Sequence, residues 1–251
     1  MTTLIAFLIA ITAFSQGEVV IGGSGTGTDL MPINHYYNYN YTQMIYDQEA
    51  IPPGEITAIK FKYASTSGHT ANPLVIYMKT TDKASFNSST DFDSVDLAEV
   101  FSGSITSAQG WVTIELDNSY MYDGTGNLLI AVDNNTGDCP GSYSSNWYNS
   151  PTSAYKTINT QSDNNNTDPL NPVSTSASAK TRHMFVPSIT IVVDPTDPGY
   201  CFAPENLAAS NLTTNSIDLS WTLDASVNSY TIEYKKSTQS WTDTDNIISR
   251  A

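Results

Sequence analysis

Three histidines, His35, His69 and His183, are the only imidazoles in the chain, and none stands in a spacing that makes a reaction. Nucleophilic catalysis needs a Ser or Cys, a His base and an acid that orients the His. No such arrangement is legible here. There is no HExxH helix for zinc, no GxSxG elbow and no phosphate loop. The run Gly22-Gly23-Ser24-Gly25-Thr26-Gly27 is glycine-rich, but no helix start follows it, so it reads as a flexible turn. Glu49, Glu55, Asp91 and Asp93 could supply a carboxylate pair for glycoside hydrolysis, but nothing in their spacing selects two of them. The expectation is a chain with no catalytic residues, and so not an enzyme.

The remaining chemistry is binding. Tyr36, Tyr37, Tyr39 and Tyr41 crowd a short stretch, and Trp147 stands between Tyr143 and Tyr148. A Tyr offers a flat apolar face and a hydroxyl, which suits stacking on sugars or gripping peptide. The same pattern also fits rings that cover the edge of a sandwich. The loop Asp133-Asn134-Asn135-Thr136-Gly137-Asp138 carries oxygen ligands of the kind calcium takes, with Asp133 and Asp138 as candidates, but without EF-hand spacing. Asp91 and Asp93 form a second calcium candidate. Each of these also reads as a solvated turn. No other cofactor is implied. Cys139 and Cys201 permit one disulfide in an exported protein, or separate partners. Their spacing matches no metal motif.

Composition bounds the partners. The formal charge is −15, with 10 Lys and Arg against 25 Asp and Glu. Nucleic acid and anionic membranes both need clustered basic residues, so neither is expected as a partner. Asn, Ser and Thr make up about a third of the chain, and charged residues only 14%. That bias agrees with export. So does the apolar run LIAFLIAITAF from Leu4 to Phe14. It is too short to span a bilayer, which takes about 20 residues, and fits a signal-peptide core. Small residues at Ala13 and Ser15 predict cleavage after Ser15, leaving Gln16 as the mature N-terminus, although no Lys or Arg precedes Leu4. The expectation is a secreted or cell-surface protein with no inserted segment after cleavage.

The elements that would position these residues are strands. Apolar runs are short and many alternate with polar residues, the period of a pleated strand. Candidates are Glu18–Ile21, Gln43–Tyr46, Glu55–Tyr63, Pro73–Lys79, Glu99–Ile105, Trp111–Leu116, Asn127–Asp133, Tyr143–Tyr148, Ala154–Thr160 and Met184–Val193. Ile59, Phe61 and Tyr63 share one face, as do Val112, Ile114 and Leu116. Leu128–Val132 is apolar throughout and predicts a central strand covered on both sides. About ten short strands between Gly, Asn, Asp and Pro turns predict an all-β, two-sheet sandwich of jelly-roll type. Residues 82–97 read as a long loop with a helical turn. Residues 161–180 lack apolar anchors and read as a mobile surface loop. The breaker-rich Asp194-Pro195-Thr196-Asp197-Pro198-Gly199 predicts a linker over 194–203, between a sandwich over 16–193 and a second domain over 204–251.

In that second part, Pro204-Glu205-Asn206-Leu207, then Ser216-Ile217-Asp218-Leu219-Ser220-Trp221, then Tyr230-Thr231-Ile232-Glu233-Tyr234 resembles the first half of a fibronectin type III module. The resemblance implies an immunoglobulin-like sandwich with Trp221 in its core. It covers about 45 residues and lacks the later strands, so the chain reads as the front of a longer protein. In the first part, Ile21-Gly22, Leu30-Met31-Pro32-Ile33-Asn34, the Tyr-rich run and Ile56-Thr57-Ala58-Ile59-Lys60-Phe61 resemble the N-terminal sandwich of large secreted Bacteroidetes proteins. Val100-Phe101-Ser102-Gly103 and Leu128–Thr136 extend the match. Such proteins often carry tandem fibronectin modules, a sorting domain and, in some cases, a peptidase. These observations imply a non-catalytic binding or adhesion module that recognises a glycan or an extracellular protein. The alternative is the accessory front of a secreted peptidase or glycoside hydrolase whose catalytic domain lies elsewhere. A plain structural spacer is a third reading.

Overall fold

Along Gly54–Tyr63, Ile59, Phe61 and Tyr63 are buried while Lys60 and Lys62 turn toward solvent, as the two-residue period of a strand requires. The same logic runs through the chain in a computed structural model, which describes residues 5–10, 17–23, 25–138, 146–173, 180–195, 208–211, 213, 218–220, 230–236 and 247–250. The described residues form strands β1 (Ile5–Ala10), β2 (Gly17–Ile21), β3 (Gly27–Asp29), β4 (Tyr39–Tyr46), β5 (Gly54–Tyr63), β6 (His69–Thr81) and β7 (Ala98–Ser107). There follow β8 (Gly110–Tyr122), β9 (Asn127–Asn134), β10 (Trp147–Pro151), β11 (Thr157–Ser162), β12 (Thr181–His183), β13 (Phe185–Pro187) and β14 (Ile189–Pro195). The last four are β15 (Ala208–Ser210), β16 (Asp218–Ser220), β17 (Tyr230–Lys236) and β18 (Ile247–Arg250). Among the described residues the helical content is one 3-10 turn, Gln48–Ala50. None of their helices is long and apolar enough to cross a membrane.

The chain divides into two compact units, one of Glu18–Val193 and one that joins Met1–Gly17 to Asp194–Ala251. In the first, two antiparallel sheets make a β-sandwich. A six-stranded sheet runs β12-β11-β4-β9-β6-β7; the other follows β13-β10-β5-β14-β2, with β3 on β10 and β8 on β5. The core lies between them. Trp147 is fully buried against Tyr63 and Phe61, and its indole N–H donates to the Ile33 carbonyl at 2.9 Å. Tyr46, on β4, donates its hydroxyl to the Pro187 carbonyl of the opposite sheet at 3.1 Å. Strand β9 sits between β4 and β6, and Leu128–Val132 has no exposed surface.

A second apolar layer covers the outer face of the six-stranded sheet. Tyr41, Ile45, Leu129, Ala131 and Ile158 project there and pack with Phe86, while Tyr77, Phe92 and Leu97 rest against them. Phe86, Phe92 and Leu97 come from the loop 82–97. That loop has no helical turn, contrary to the sequence expectation. It has instead three apolar anchors that follow neither the helix nor the strand period. The loop after β11 also departs from expectation. β11 extends to Ser162, and Thr167 and Pro172 are buried, so the described part of the segment does hold anchors. The second unit contains two sheets, β15 with β16 and β1-β17-β18, in which β1 runs antiparallel to β17 from Ile5 opposite Lys236 to Ala10 opposite Thr231.

Candidate functional site

On β4, alternate residues point to opposite sides. Met44 and Tyr46 face the core, while Tyr39, Tyr41 and Gln43 face outward. Register then fixes their neighbours. Thr160, Tyr41, Asp133 and Val75 stand opposite one another on β11, β4, β9 and β6, so they form one row across the outer face. Ile158, Gln43, Ala131 and Tyr77 form the next row. The outer face therefore changes character along β9, from the apolar Leu129 and Ala131 to a carboxylate at Asp133.

Asp133 is 4% exposed. Its Oδ2 accepts from Asn135 Nδ2 at 2.8 Å. Among the described residues its Oδ1 has no hydrogen-bond partner, and neither do Asn135 Oδ1 and Thr160 Oγ1. A buried polar oxygen with nothing to accept costs roughly 1–3 kcal/mol, and more when charged. Burial, helped by the charge of Asp168, pushes the Asp133 carboxyl up to about 7. Burial and then the charges of Asp133, Glu99 and Asp168 raise the half-buried Tyr77 phenol to about 12. The site is thus rich in acceptors, with the Asp133 carboxyl only partly ionised near neutral pH. Its rings are Tyr77 and Tyr39, both half-buried, and the buried Tyr41. Gly137 sits beside Tyr39 with φ of +69°, a conformation that glycine adopts without strain, and its N–H donates to the Asn38 carbonyl at 2.9 Å.

The loop 82–97 closes one side. Gln43 clamps it through two backbone contacts, receiving the Asp93 N–H at 2.8 Å and donating to the Asp93 carbonyl at 2.5 Å. Gln43 also donates to the Tyr41 hydroxyl at 2.8 Å, and the Tyr41 ring stacks on Phe92 with centroids 5.9 Å apart. Asp93 pairs with Lys79 at 3.2 Å. Asp91 pairs with Lys83 at 2.8 Å and takes the Asn87 N–H at 2.7 Å. These two carboxylates hold the loop in place and have their partners within the protein.

The other residues singled out in the sequence are dispersed. Trp147 lies in the core, where it packs and presents no surface to a ligand. Tyr41 is also fully buried, held between Gln43 and Phe92. Tyr36 and Tyr37 are half-buried and meet edge to face at 5.1 Å. Asp138 is exposed at the end of its loop. Cys139, Cys201, Tyr143 and Trp221 lie outside the described residues. Among the described residues no three of His, Cys, Asp and Glu group as a metal centre. The row next to Asp133 contains a residue the sequence reading passed over, Tyr77. The available signal was a lone carboxylate closing a strand that is otherwise apolar.

Two other polar features stand apart from this site. His35 is buried, with its Nε2 3.0 Å from Ser107 Oγ and its ring 5.4 Å from that of His69. Burial, and then the neighbouring His69, lowers His35 to about 4. Both Ser107 and His35 lie inside the sandwich, out of reach of a substrate. On the outer face of the other sheet, Lys62 Nζ stands 5.6 Å from the Trp111 ring and 5.2 Å from that of Tyr148, so the lysine already caps these aromatics. No protein-family model matches the chain. No curated protein matches it either.

Proposed function

We propose that this chain is the exported, non-catalytic binding part of a larger secreted or surface protein, and that its sandwich recognises a glycan on the outer face of the six-stranded sheet. The observation that carries this reading is the Asp133 carboxylate, buried with Oδ1 unpaired beside the unpaired Oδ1 of Asn135. Sugar hydroxyls are donors that satisfy such oxygens, and reaching them requires a local opening, because both oxygens have almost no exposed surface. The C–H faces of a pyranose suit the Tyr77 and Tyr39 rings. A few convergent polar groups within an apolar surround are the usual make-up of a ligand site. The fibronectin-like strands after Asp194 then act as a spacer, and the apolar N-terminal run as the export signal.

A glycan array probed with the purified chain tests the reading. The expected result is binding to a restricted set of glycans, lost in Tyr77→Ala and in Asp133→Asn, with both variants keeping the wild-type far-UV spectrum. Binding that survives both substitutions, or no binding to any glycan, overturns it. N-terminal sequencing of the exported protein tests the localisation, with Gln16 expected as the first residue.

A further inference from the structure

On the outer face of the other sheet, Lys62 and Trp111 stand opposite each other on β5 and β8, while Phe61, Tyr63 and Val112 turn into the core. Strand β5 also pairs with β10, where Trp147 turns inward and its neighbour Tyr148 outward. Ser188 ties the two strands together, accepting the Lys62 N–H at 3.2 Å and donating its own N–H to the Tyr148 carbonyl at 2.8 Å. The Lys62 ammonium lies between the two rings, 5.6 Å from the centre of Trp111 and 5.2 Å from that of Tyr148. Its presence leaves Trp111 38% exposed and Tyr148 half-buried. One of its three donors goes to the Gly23 carbonyl at 2.9 Å, which holds the charge in place. The turn that carries Gly23 is itself pinned by Ser150 and Ser188, whose hydroxyls donate to the Gly22 carbonyl. Lys60, Lys79, Lys83 and Lys156 pair with Glu18, Asp93, Asp91 and Asp47. Among the described residues no such pair forms at Lys62, although the chain has 25 Asp and Glu against 10 Lys and Arg.

We propose that Lys62, Trp111 and Tyr148 bind an acidic saccharide, a glycan built of uronic acids, at a second site on the sheet opposite Asp133. The indole and phenol faces suit the C–H faces of pyranose rings. A uronate carries its carboxylate on the edge of the same ring that stacks, so an ammonium beside the aromatic faces meets it. The two donors that Gly23 leaves free on Lys62 then make charge-assisted bonds to that carboxylate. Charges farther than about 8 Å are screened at physiological ionic strength, so the groups in contact decide the pairing rather than the net charge of −15. The pieces are held before any ligand arrives: three paired strands set the spacing of the rings, and the pinned turn sets the ammonium. This site stands independently of the Asp133 reading. A uronate bound here would survive substitution at Tyr77 and Asp133, so the glycan array for that other face is read in the Trp111→Ala background.

The test is calorimetric titration of the whole chain with a galacturonic acid tetrasaccharide and, separately, with its carboxyl-reduced, neutral form. The acidic sugar should bind at least about tenfold more tightly than the neutral one, the scale of a hydrogen bond to a charged group. Trp111→Ala should abolish binding of both. Lys62→Gln should bring the acidic sugar down to the level of the neutral one, and Lys62→Arg should keep the preference for the acid. All three positions lie on the solvent side of the sheet, and an unchanged far-UV spectrum checks the fold of each variant. A tetrapeptide of glutamate, with carboxylates but no pyranose faces, should bind at least about tenfold more weakly than the uronate. No binding of the acidic sugar, or binding that is unchanged in Trp111→Ala, overturns the site. A Lys62→Gln variant that still prefers the acid overturns the role of the ammonium. Glutamate peptide bound as tightly as the uronate overturns the saccharide assignment in favour of an acidic protein partner.

Discussion

Two buried side chains on different sides of the six-stranded sheet carry opposite electrostatic signatures. Asp133 is held above the ordinary carboxylate range and His35 below the ordinary imidazole range, and in both cases burial is the main cause. For His35 the consequence is global. Among the groups that face it are Ser107, His69, Tyr63 and Trp147. Folded, it takes up a proton only near pH 4; unfolded, it does so near 6.5. Between those values the unfolded chain binds more protons, so stability falls as pH falls. Its contribution is fully present above 6.5 and lost on the way to 4, amounting to about 3 kcal/mol. Urea unfolding at pH 7.5 and pH 4.5 should show a smaller acid loss in His35→Gln than in the native chain, by about that amount. Equal losses in the two proteins would show that His35 escapes its burial by a local rearrangement. The glutamine can still bond to Ser107, so the comparison isolates the charge.

Strands and loops record their packing in sequence with unequal clarity. Gly54–Tyr63 and Asn127–Asn134 were readable because one alternates and the other is uniformly apolar, and these patterns become a half-exposed strand and a central strand respectively. Asp133 was readable as a polar end to the second of them. The loop 82–97 was not, because Phe86, Phe92 and Leu97 dock on the sheet at intervals set by the surface beneath them rather than by any backbone period. Tyr77 belongs to the site only because β6 pairs with β9 in a register that no local pattern announces. The loop's anchoring has a measurable weight. Phe86 is 1% exposed and joins Tyr41, Ile45, Leu129, Ala131 and Ile158. Phe86→Ala should cost roughly 3–5 kcal/mol if the void stays open. Amide exchange should then accelerate across 82–97 more than in β9. A uniform loss of protection through both would mean that the loop and sheet unfold as one unit.

Across the whole chain, the sandwich has the means to stand by itself. Both large sheets draw every strand from residues 17–195. Its principal core residues, from Ile33 to Val193, fall within the same limits. A segment of that size buries a full core, whereas short pairs such as Ala208–Ser210 with Asp218–Ser220 are marginal without further strands. In the second unit β17 has β1 on one side and β18 on the other. If export removes the first 15 residues, as the leader reading requires, β17 loses the partner on one edge, and an unpaired edge is open to further strand addition. The sandwich has no strand in that segment. A protein of residues 16–195 should therefore unfold in one cooperative step, with a midpoint within roughly 2 °C of the main transition of the whole chain, a shift worth less than about 1 kcal/mol at this size. Scanning calorimetry of the two proteins makes the comparison. A substantially lower midpoint in the shorter protein would show that the sandwich draws stability from the rest of the chain, and its binding surface would then have to be studied only in the longer form.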